Sequence, residues 1–123
     1  MTKVAIIEDD PAINQMYRMK FESEGFDVRL ANDGLSGYNL VKSFRPDIIL
    51  LDLQMPEVSG LETLRKIRVE EWGKNIPVII LTNLGPEESP AEIKELNPEA
   101  YIVKADLTPR QVVARVKEAL KLD

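Results

Sequence analysis

The sequence predicts a doubly wound α/β fold, in which five parallel strands alternate with five helices. Short apolar runs rich in Val and Ile predict strands that are buried on both faces, as in parallel sheets. Segments with helical spacing lie between these runs, and their connections are short. Right-handed crossovers then give a sheet in the order 2-1-3-4-5 with helices on both faces. The 123 residues suffice for one core, so we expect one domain over residues 1–123.

The first half of the chain predicts two strands and two helices. Residues 4–7 form the first apolar run, and Asp10 followed by Pro11 can cap and begin a helix. That helix, which Gly25 ends, carries apolar side chains on one face at Ile13, Met16, Tyr17 and Phe21. The second strand is predicted at residues 28–31. The second helix is marked by apolar residues at helical spacing, Leu35, Tyr38, Val41 and Phe44.

The second half repeats the alternation three times. Three further strands are predicted from the apolar runs at 48–51, 78–81 and 101–103. The third helix begins at Ser59 and has three apolar residues on one face, Leu61, Leu64 and Ile67. Prolines crowd the fourth helix and leave it about residues 91–96. A fifth helix, capped by Thr108, has a predicted buried stripe formed by Val112, Val116 and Leu120.

The composition excludes several kinds of site. The chain has no Cys, which excludes disulfides and thiolate nucleophiles, and no His, which excludes a Ser-His-Asp triad and imidazole metal ligands. A net charge of −5 argues against direct binding of nucleic acid. No apolar stretch approaches the roughly 18 residues that would span a membrane. We therefore expect a cytoplasmic protein without a membrane or nucleic-acid partner.

Four of the predicted strands end on polar side chains. These side chains are Glu8 and Asp9 after the first strand, Asp52 after the third, Thr82 after the fourth and Lys104 after the fifth. Ligands of open parallel sheets bind beyond the carboxyl ends of the strands, so we expect these side chains to meet at one edge. Each residue taken singly also fits a structural role, such as a helix cap or a solvated lysine. The joint pattern favours a functional site.

Three carboxylates that lie close together repel one another unless a cation lies between them. Without imidazole ligands the natural candidate is Mg²⁺, which needs only one or two carboxylates and keeps several waters. We expect Asp9 and Asp52 to bind it directly and Glu8 to bind it through a water. The backbone carbonyl of Gln54 is the expected third protein ligand.

A cation beside Asp52 would make its carboxylate a nucleophile toward phosphorus. The transferred phosphoryl group carries charge on three equatorial oxygens, and catalysis is mostly positioning and electrostatic stabilisation. We expect Mg²⁺ to bind one oxygen and the Lys104 ammonium to bind the second. The Thr82 hydroxyl, with the backbone N–H of Asn83, would bind the third.

These residues resemble the receiver domain of bacterial two-component response regulators, of the chemotaxis-regulator type. The matching motifs are the acidic cluster at 7–10, Asp52 at the end of 47–52, Met55-Pro56 followed by Gly60, Leu81-Thr82, and residues 101–104. The resemblance extends from Lys3 to about Lys121 and implies a flavodoxin-like sheet. It implies that Asp52 accepts a phosphoryl group from a phosphohistidine on a sensor histidine kinase or phosphotransfer protein. It implies no enzymatic activity beyond the chain's own phosphorylation and dephosphorylation.

The resemblance also implies a switch. Thr82 would move toward the phosphoryl group, and Tyr101 would rotate into the space left behind. This would alter the face formed by the fourth helix, the fifth strand and the fifth helix, which family members use for output or for dimerisation. The implied partner is a downstream output protein or an output domain of the same chain.

Three features depart from the family pattern. Ala105 follows Lys104 where the family usually has a cis-Pro, and a cis bond before a residue other than Pro costs about 3–4 kcal/mol. We therefore expect a trans bond or a strained loop, with Lys104 less firmly aimed. Asn83 replaces the preferred Ala or Gly and should narrow access to the site. Three prolines between 86 and 98 should shorten the fourth helix and affect output specificity.

Two other functions compete with the phosphorylation switch. A pseudo-receiver would bind partners without phosphorylation, but such a chain would normally have lost the acceptor, an acid or the lysine. A Mg²⁺-dependent phosphohydrolase of the haloacid-dehalogenase kind also uses a nucleophilic Asp after a strand. It places a second Asp two residues on, where this chain has Gln54, and it carries a cap insertion that this chain lacks.

Overall fold

The computed structural model describes residues 1–122, and its strands form one parallel sheet in the order β2-β1-β3-β4-β5. The strands are β1 (Lys3–Ile7), β2 (Asp27–Ala31), β3 (Ile48–Leu51), β4 (Val78–Thr82) and β5 (Ala100–Val103). Every neighbouring pair is parallel. The predicted fold class and strand order are confirmed.

In the described part of the chain, five α-helices follow the strands in alternation. They are α1 (Pro11–Ser23), α2 (Gly34–Phe44), α3 (Gly60–Arg68), α4 (Glu92–Glu95) and α5 (Pro109–Ala119). Two short 3-10 turns, at Pro86–Glu88 and Lys104–Asp106, lie on either side of β5 in the sequence. None of the helices in residues 1–122 is long and apolar enough to cross a membrane.

The sheet separates two apolar cores. On one face α1 and α5 cover β1, β3 and β4 through side chains that include Phe21 and Val116, both fully buried. On the other face α2, α3 and α4 pack through a second cluster, which contains Leu64 and Ile93. Burial on both faces explains why the central strands are continuous apolar runs without alternation.

The predicted helix starts are confirmed by their capping hydrogen bonds. The Asp10 carboxylate accepts from the backbone N–H groups of Ala12 and Ile13, and Pro11 is the first helical residue. The Ser59 hydroxyl accepts from the N–H of Glu62 at the start of α3. Thr108 caps α5 in a reciprocal arrangement in which its N–H donates to Gln111.

Several predicted apolar positions lie differently. Met16 and Leu35 are 44% and 58% exposed, so neither belongs to the buried face of its helix. In α2 the face against the sheet includes Gly37, where an added Cβ would lie 2.8 Å from side-chain atoms of Ile7. The helix approaches β1 too closely there for any larger side chain, and this rotates Leu35 outward. Leu120 lies just beyond α5 and is only partly buried.

The region of the fourth helix has little regular structure, as the prolines predicted. A 3-10 turn at Pro86–Glu88 precedes a single α-helical turn, Glu92–Glu95. The observed helix is shorter than the expected residues 91–96. Ile93 is its one buried residue and attaches it to the core.

Candidate functional site

The acidic side chains meet at the carboxyl edge of the sheet. Ile7 and Leu51 are paired in register across the central strands β1 and β3, and the acids follow directly after them. Glu8, Asp9 and Asp52 each offer a carboxylate oxygen, and these oxygens lie within 4.8 Å of one another. Glu8 and Asp52 are buried, whereas Asp9 is partly exposed. The edge therefore holds a compact cluster of three acids with one side open to solvent.

Lys104 directly follows the edge strand β5, and its side chain reaches the same cluster. Its Nζ donates to Glu8 Oε1 and, at 3.2 Å, to Asp52 Oδ2, and the lysine side chain is only 10% exposed. The 104–105 peptide bond is trans, one of the two expected outcomes. The expectation that Lys104 would be less firmly aimed is wrong. The 3-10 turn that begins at Lys104 carries the side chain inward, where two carboxylates hold it.

The electrostatics of the cluster follow from its burial. The pKa of Glu8 is raised to about 7. Burial is the largest cause of this rise, the hydrogen bond from Lys104 opposes it, and the charge of Asp52 adds to it. For Lys104, burial lowers the pKa, but the hydrogen bond to Glu8 and the charge of Asp52 outweigh it and leave the pKa raised. One ammonium does not balance three carboxyl groups.

The Asp52 carboxylate has a separate partner on each oxygen. Oδ2 accepts from Lys104, and Oδ1 accepts from the backbone N–H of Gln54 at 3.1 Å. These two hydrogen bonds hold the carboxylate in one orientation. The position of the Gln54 carbonyl as a metal ligand stays a prediction, and the Gln54 side chain is exposed.

Thr82 and Tyr101 lie on the neighbouring strands. Thr82 ends β4 and is fully buried, and its Oγ1 accepts from the N–H of Leu84 at 3.5 Å. Tyr101 is half-buried on β5, and its hydroxyl donates to the carbonyl oxygen of Leu84 at 2.9 Å. Both side chains are therefore tied to the same residue, Leu84, in the loop after β4. Asn83, which lies between Thr82 and Leu84 in the sequence, is exposed.

The cluster fits a hard divalent cation by its chemistry. Its donors are carboxylate oxygens with no thiolate or imidazole among them, which is the ligand type that Mg²⁺ prefers. Lys104 contacts Glu8 and Asp52 but leaves Asp9 without a hydrogen bond from the ammonium. The partly exposed carboxylate of Asp9 is thus available to an ion.

Asn14, whose side chain binds the backbone of the acidic cluster at Glu8, was not identified from the sequence. Asn14 is buried on α1, and its Nδ2 donates to the carbonyl oxygens of Glu8 at 2.7 Å and Ala31 at 3.2 Å. It holds the backbone between Ile7 and Asp9 in place. A signal was present, because Asn14 shares a helical face with Tyr17 and Phe21 and is the one polar member of that face.

Comparisons with known proteins agree with this arrangement. The family model described as the response regulator receiver domain matches residues 4–117. The DNA-binding dual master transcriptional regulator RpaA of Synechocystis is 34% identical over 98% of this chain and 50% of its own length. The phosphate regulon transcriptional regulatory protein PhoB of Pseudomonas aeruginosa is 31% identical over 96% of this chain and 51% of its own length. The chain thus spans about half the length of these relatives.

Solved structures match over the whole fold. The chemotaxis protein CheY4 of Vibrio cholerae has a TM-score of 0.88 at 27% identity, covering 97% of this chain and 98% of that one. The receiver domain of the Francisella response regulator 1452 has a TM-score of 0.86 at 30% identity, covering 98% of both chains.

Proposed function

We propose that this chain, which belongs to the response regulator receiver domain family, accepts a phosphoryl group on Asp52 from a phosphohistidine of another protein. One observation carries the proposal: the Asp52 carboxylate lies beside two further carboxylates and within 3.2 Å of a buried ammonium. None of the 123 residues can be the phosphohistidine donor, because they include no His, and we infer that a histidine kinase or phosphotransfer protein supplies it.

Magnesium would be held by the residues that the chemistry of the cluster favours. Asp9 and Asp52 would bind it directly, Glu8 through a water, and the Gln54 carbonyl would complete the protein ligands. When bound, the ion supplies positive charge that offsets the repulsion among the acids and among the phosphoryl oxygens.

The chain's own residues then direct the transfer. A carboxylate oxygen of Asp52 forms the new bond to phosphorus as the phosphorus–nitrogen bond of the donor breaks, and the bonding pair leaves with the imidazole. The Lys104 ammonium is close enough to Asp52 to stabilise one oxygen of the transferred group. The Thr82 hydroxyl and the Asn83 N–H would bind another. The reaction is self-modification followed by hydrolysis, and it is not turnover of an external substrate.

The switch proposal rests on the shared attachment to Leu84. Thr82 Oγ1 must turn away from the Leu84 N–H to reach a phosphoryl group on Asp52. That movement disturbs the loop whose Leu84 carbonyl holds the Tyr101 hydroxyl, so Tyr101 can rotate inward. The face formed by α4, β5 and α5 then changes shape. We infer that a downstream protein, an output domain or a second copy of the chain reads this face, in the cytoplasm.

An intact-mass measurement tests the proposal. The purified chain is incubated with Mg²⁺ and a small phosphodonor, such as acetyl phosphate or phosphoramidate, and weighed at intervals. We expect a gain of one phosphoryl group that requires Mg²⁺ and is absent in Asp52→Asn. Asp10→Asn is the matched control, because Asp10 lies outside the cluster and Asn caps helices equally well.

The other outcomes of this experiment identify the competing functions. If a phosphate ester such as p-nitrophenyl phosphate is added as a further substrate, steady release of phosphate from it without a lasting mass gain would indicate a phosphohydrolase. No reaction with any donor would indicate an interaction module that works without phosphorylation. Either result would overturn the proposal.

A further inference from the structure

Arg68, in the last turn of α3, binds four backbone carbonyls with one guanidinium group. Nη1 donates to the carbonyl oxygens of Gly73 and Ile76, at 2.9 and 2.7 Å, in the segment that leads into β4. Nε and Nη2 donate to those of Leu96 and Asn97, at 2.8 and 3.3 Å, in the turn between α4 and β5. Four of the five N–H donors of the side chain are thereby engaged. All four acceptors are neutral, so Arg68 acts here as a connector of backbone segments.

Both connected segments lead into strands that carry the switch. The strand β4 ends on Thr82, and β5 contains Tyr101. Arg68 therefore fixes the amino ends of the two strands that carry Thr82 and Tyr101, the residues that must rearrange when Asp52 is phosphorylated. A second contact from the same helix, Arg65 to Glu92 at 2.8 Å, attaches α4 as well.

The other end of α3 lies against the acceptor residue. Gly60 begins the helix so close to Asp52 that an added Cβ would lie 2.1 Å from the Asp52 carbonyl oxygen. The Gly60 N–H also donates to Leu53 at 3.1 Å. The nine residues of α3 span about 13 Å, so one helix joins the loop after Asp52 to the bases of β4 and β5.

We propose that Arg68 is a latch that holds the β4 and β5 switch strands in the unphosphorylated arrangement. The latch consists of Arg68 and the four carbonyl groups it binds, and its role rests on the proposed function of Asp52. Rearrangement of Thr82 and Tyr101 requires the α4 region between β4 and β5 to shift. While Arg68 binds the end of that region, the shifted arrangement is less populated.

The chemistry of arginine suits this role better than that of lysine. The planar guanidinium directs its donors to two segments at once, whereas an ammonium is a compact point charge with three donors. Burial lowers the pKa of Arg68, which agrees with a side chain withdrawn from water rather than one paired on the surface. Arg68→Lys should therefore retain the charge and lose most of the latch.

Hydrogen exchange and phosphorylation rate together test the latch. In Arg68→Met we expect faster amide exchange confined to residues 73–77 and 84–97, and acceptance of phosphoryl from acetyl phosphate faster by about threefold to tenfold. Arg68→Lys should show the same changes to a smaller extent, and it replaces Arg68→Met in the test if the Met variant does not fold. Phe21→Leu, in the core on the opposite face of the sheet, controls for lost stability alone. Glu92→Gln controls for the exposed Arg65 pair.

Each result decides the proposal. The latch is supported if amide exchange is faster only in residues 73–77 and 84–97, if phosphorylation is also faster, and if neither control variant shows these changes. Exchange that rises uniformly, as in Phe21→Leu, would overturn it, and so would selective exchange with an unchanged or slower phosphorylation rate. If the parent chain accepts no phosphoryl group, the proposed function fails. The latch rests on that function and then fails with it, whereas a parent chain that accepts the phosphoryl group, combined with uniform exchange in Arg68→Met, overturns the latch alone.

Discussion

Lys104 determines much of the geometry of the site at the scale of single residues. Its ammonium lies between Glu8 and Asp52 and holds these two buried carboxyl groups together at one edge of the sheet. The pKa of Glu8 is raised to about 7, chiefly by burial, so part of the acid charge is removed near neutral pH.

Asn83 should control how long the phosphoryl group survives. It is exposed and follows the buried Thr82 directly, and we expect its side chain to narrow the approach to Asp52. We expect aspartyl phosphate to decay faster in Asn83→Ala than in the parent, since a smaller side chain admits water more easily. The decay is followed by intact mass after the donor is removed. Equal decay, or faster decay in the parent, would contradict this role.

Glu57 stores backbone strain in the loop between β3 and α3. It is an exposed residue other than glycine with a φ of 65°. We expect Glu57→Gly to raise the free energy of unfolding by about 0.5–1 kcal/mol, because Gly adopts this conformation without a steric penalty. Urea denaturation measures the change. Glu57→Ala is the control, since it removes the charge and keeps the Cβ; an equal gain in both variants would assign the effect to charge.

At the scale of elements, the strands were predictable and the fourth helix was only partly so. Apolar runs define β1, β3 and β4 because both faces of those strands are buried. The caps Asp10, Ser59 and Thr108 are local signals that tertiary packing did not change. The end of α4 depends on long-range contacts of Arg68 with Leu96 and Asn97, which no local pattern in the sequence reveals.

The candidate site was predictable for a related reason. In a parallel sheet the strand order alone brings the residues after β1, β3 and β5 to one edge, so Asp52 and Lys104 could be placed together. The aim of Lys104 could not be predicted. The direction of the Lys104 side chain depends on the 3-10 turn at Lys104–Asp106. It also depends on ion pairs with buried acids, which hold the ammonium in place although no proline follows the lysine.

Glu24 joins α1 to α5 and gives the stability a dependence on pH. Hydrogen bonds from Lys117, and then from Lys20, lower its pKa in the folded protein. A lowered pKa stabilises the fold above the unfolded value of 4.5, and this stabilisation is lost as pH falls through the folded value. We expect Glu24→Gln to lower Tm slightly at pH 7, and to lower it progressively less as pH falls below 4.5. The same decrease at pH 7 and well below pH 4.5 would contradict the ionic origin.

At the scale of the whole molecule, the proposed Mg²⁺ site predicts that cation binding and folding are coupled. An ion that binds only the folded chain raises Tm with its concentration. We expect Mg²⁺ to raise Tm of the parent, and Asp9→Asn to abolish that rise while increasing Tm in EDTA, because one repelling carboxylate is gone. Thermal melts with EDTA or Mg²⁺ measure both effects. The Asp10→Asn variant, whose substitution lies outside the cluster, should respond to Mg²⁺ as the parent does.

The acceptor residue can be identified chemically. Borohydride reduces an acyl phosphate to an alcohol, so the phosphorylated aspartate becomes homoserine, and its position is then read by peptide mass spectrometry. After treatment with Mg²⁺ and acetyl phosphate, we predict homoserine at position 52 and at no other acid. Homoserine at position 8 or 9, or none at all, would contradict the assignment of Asp52 as the nucleophile.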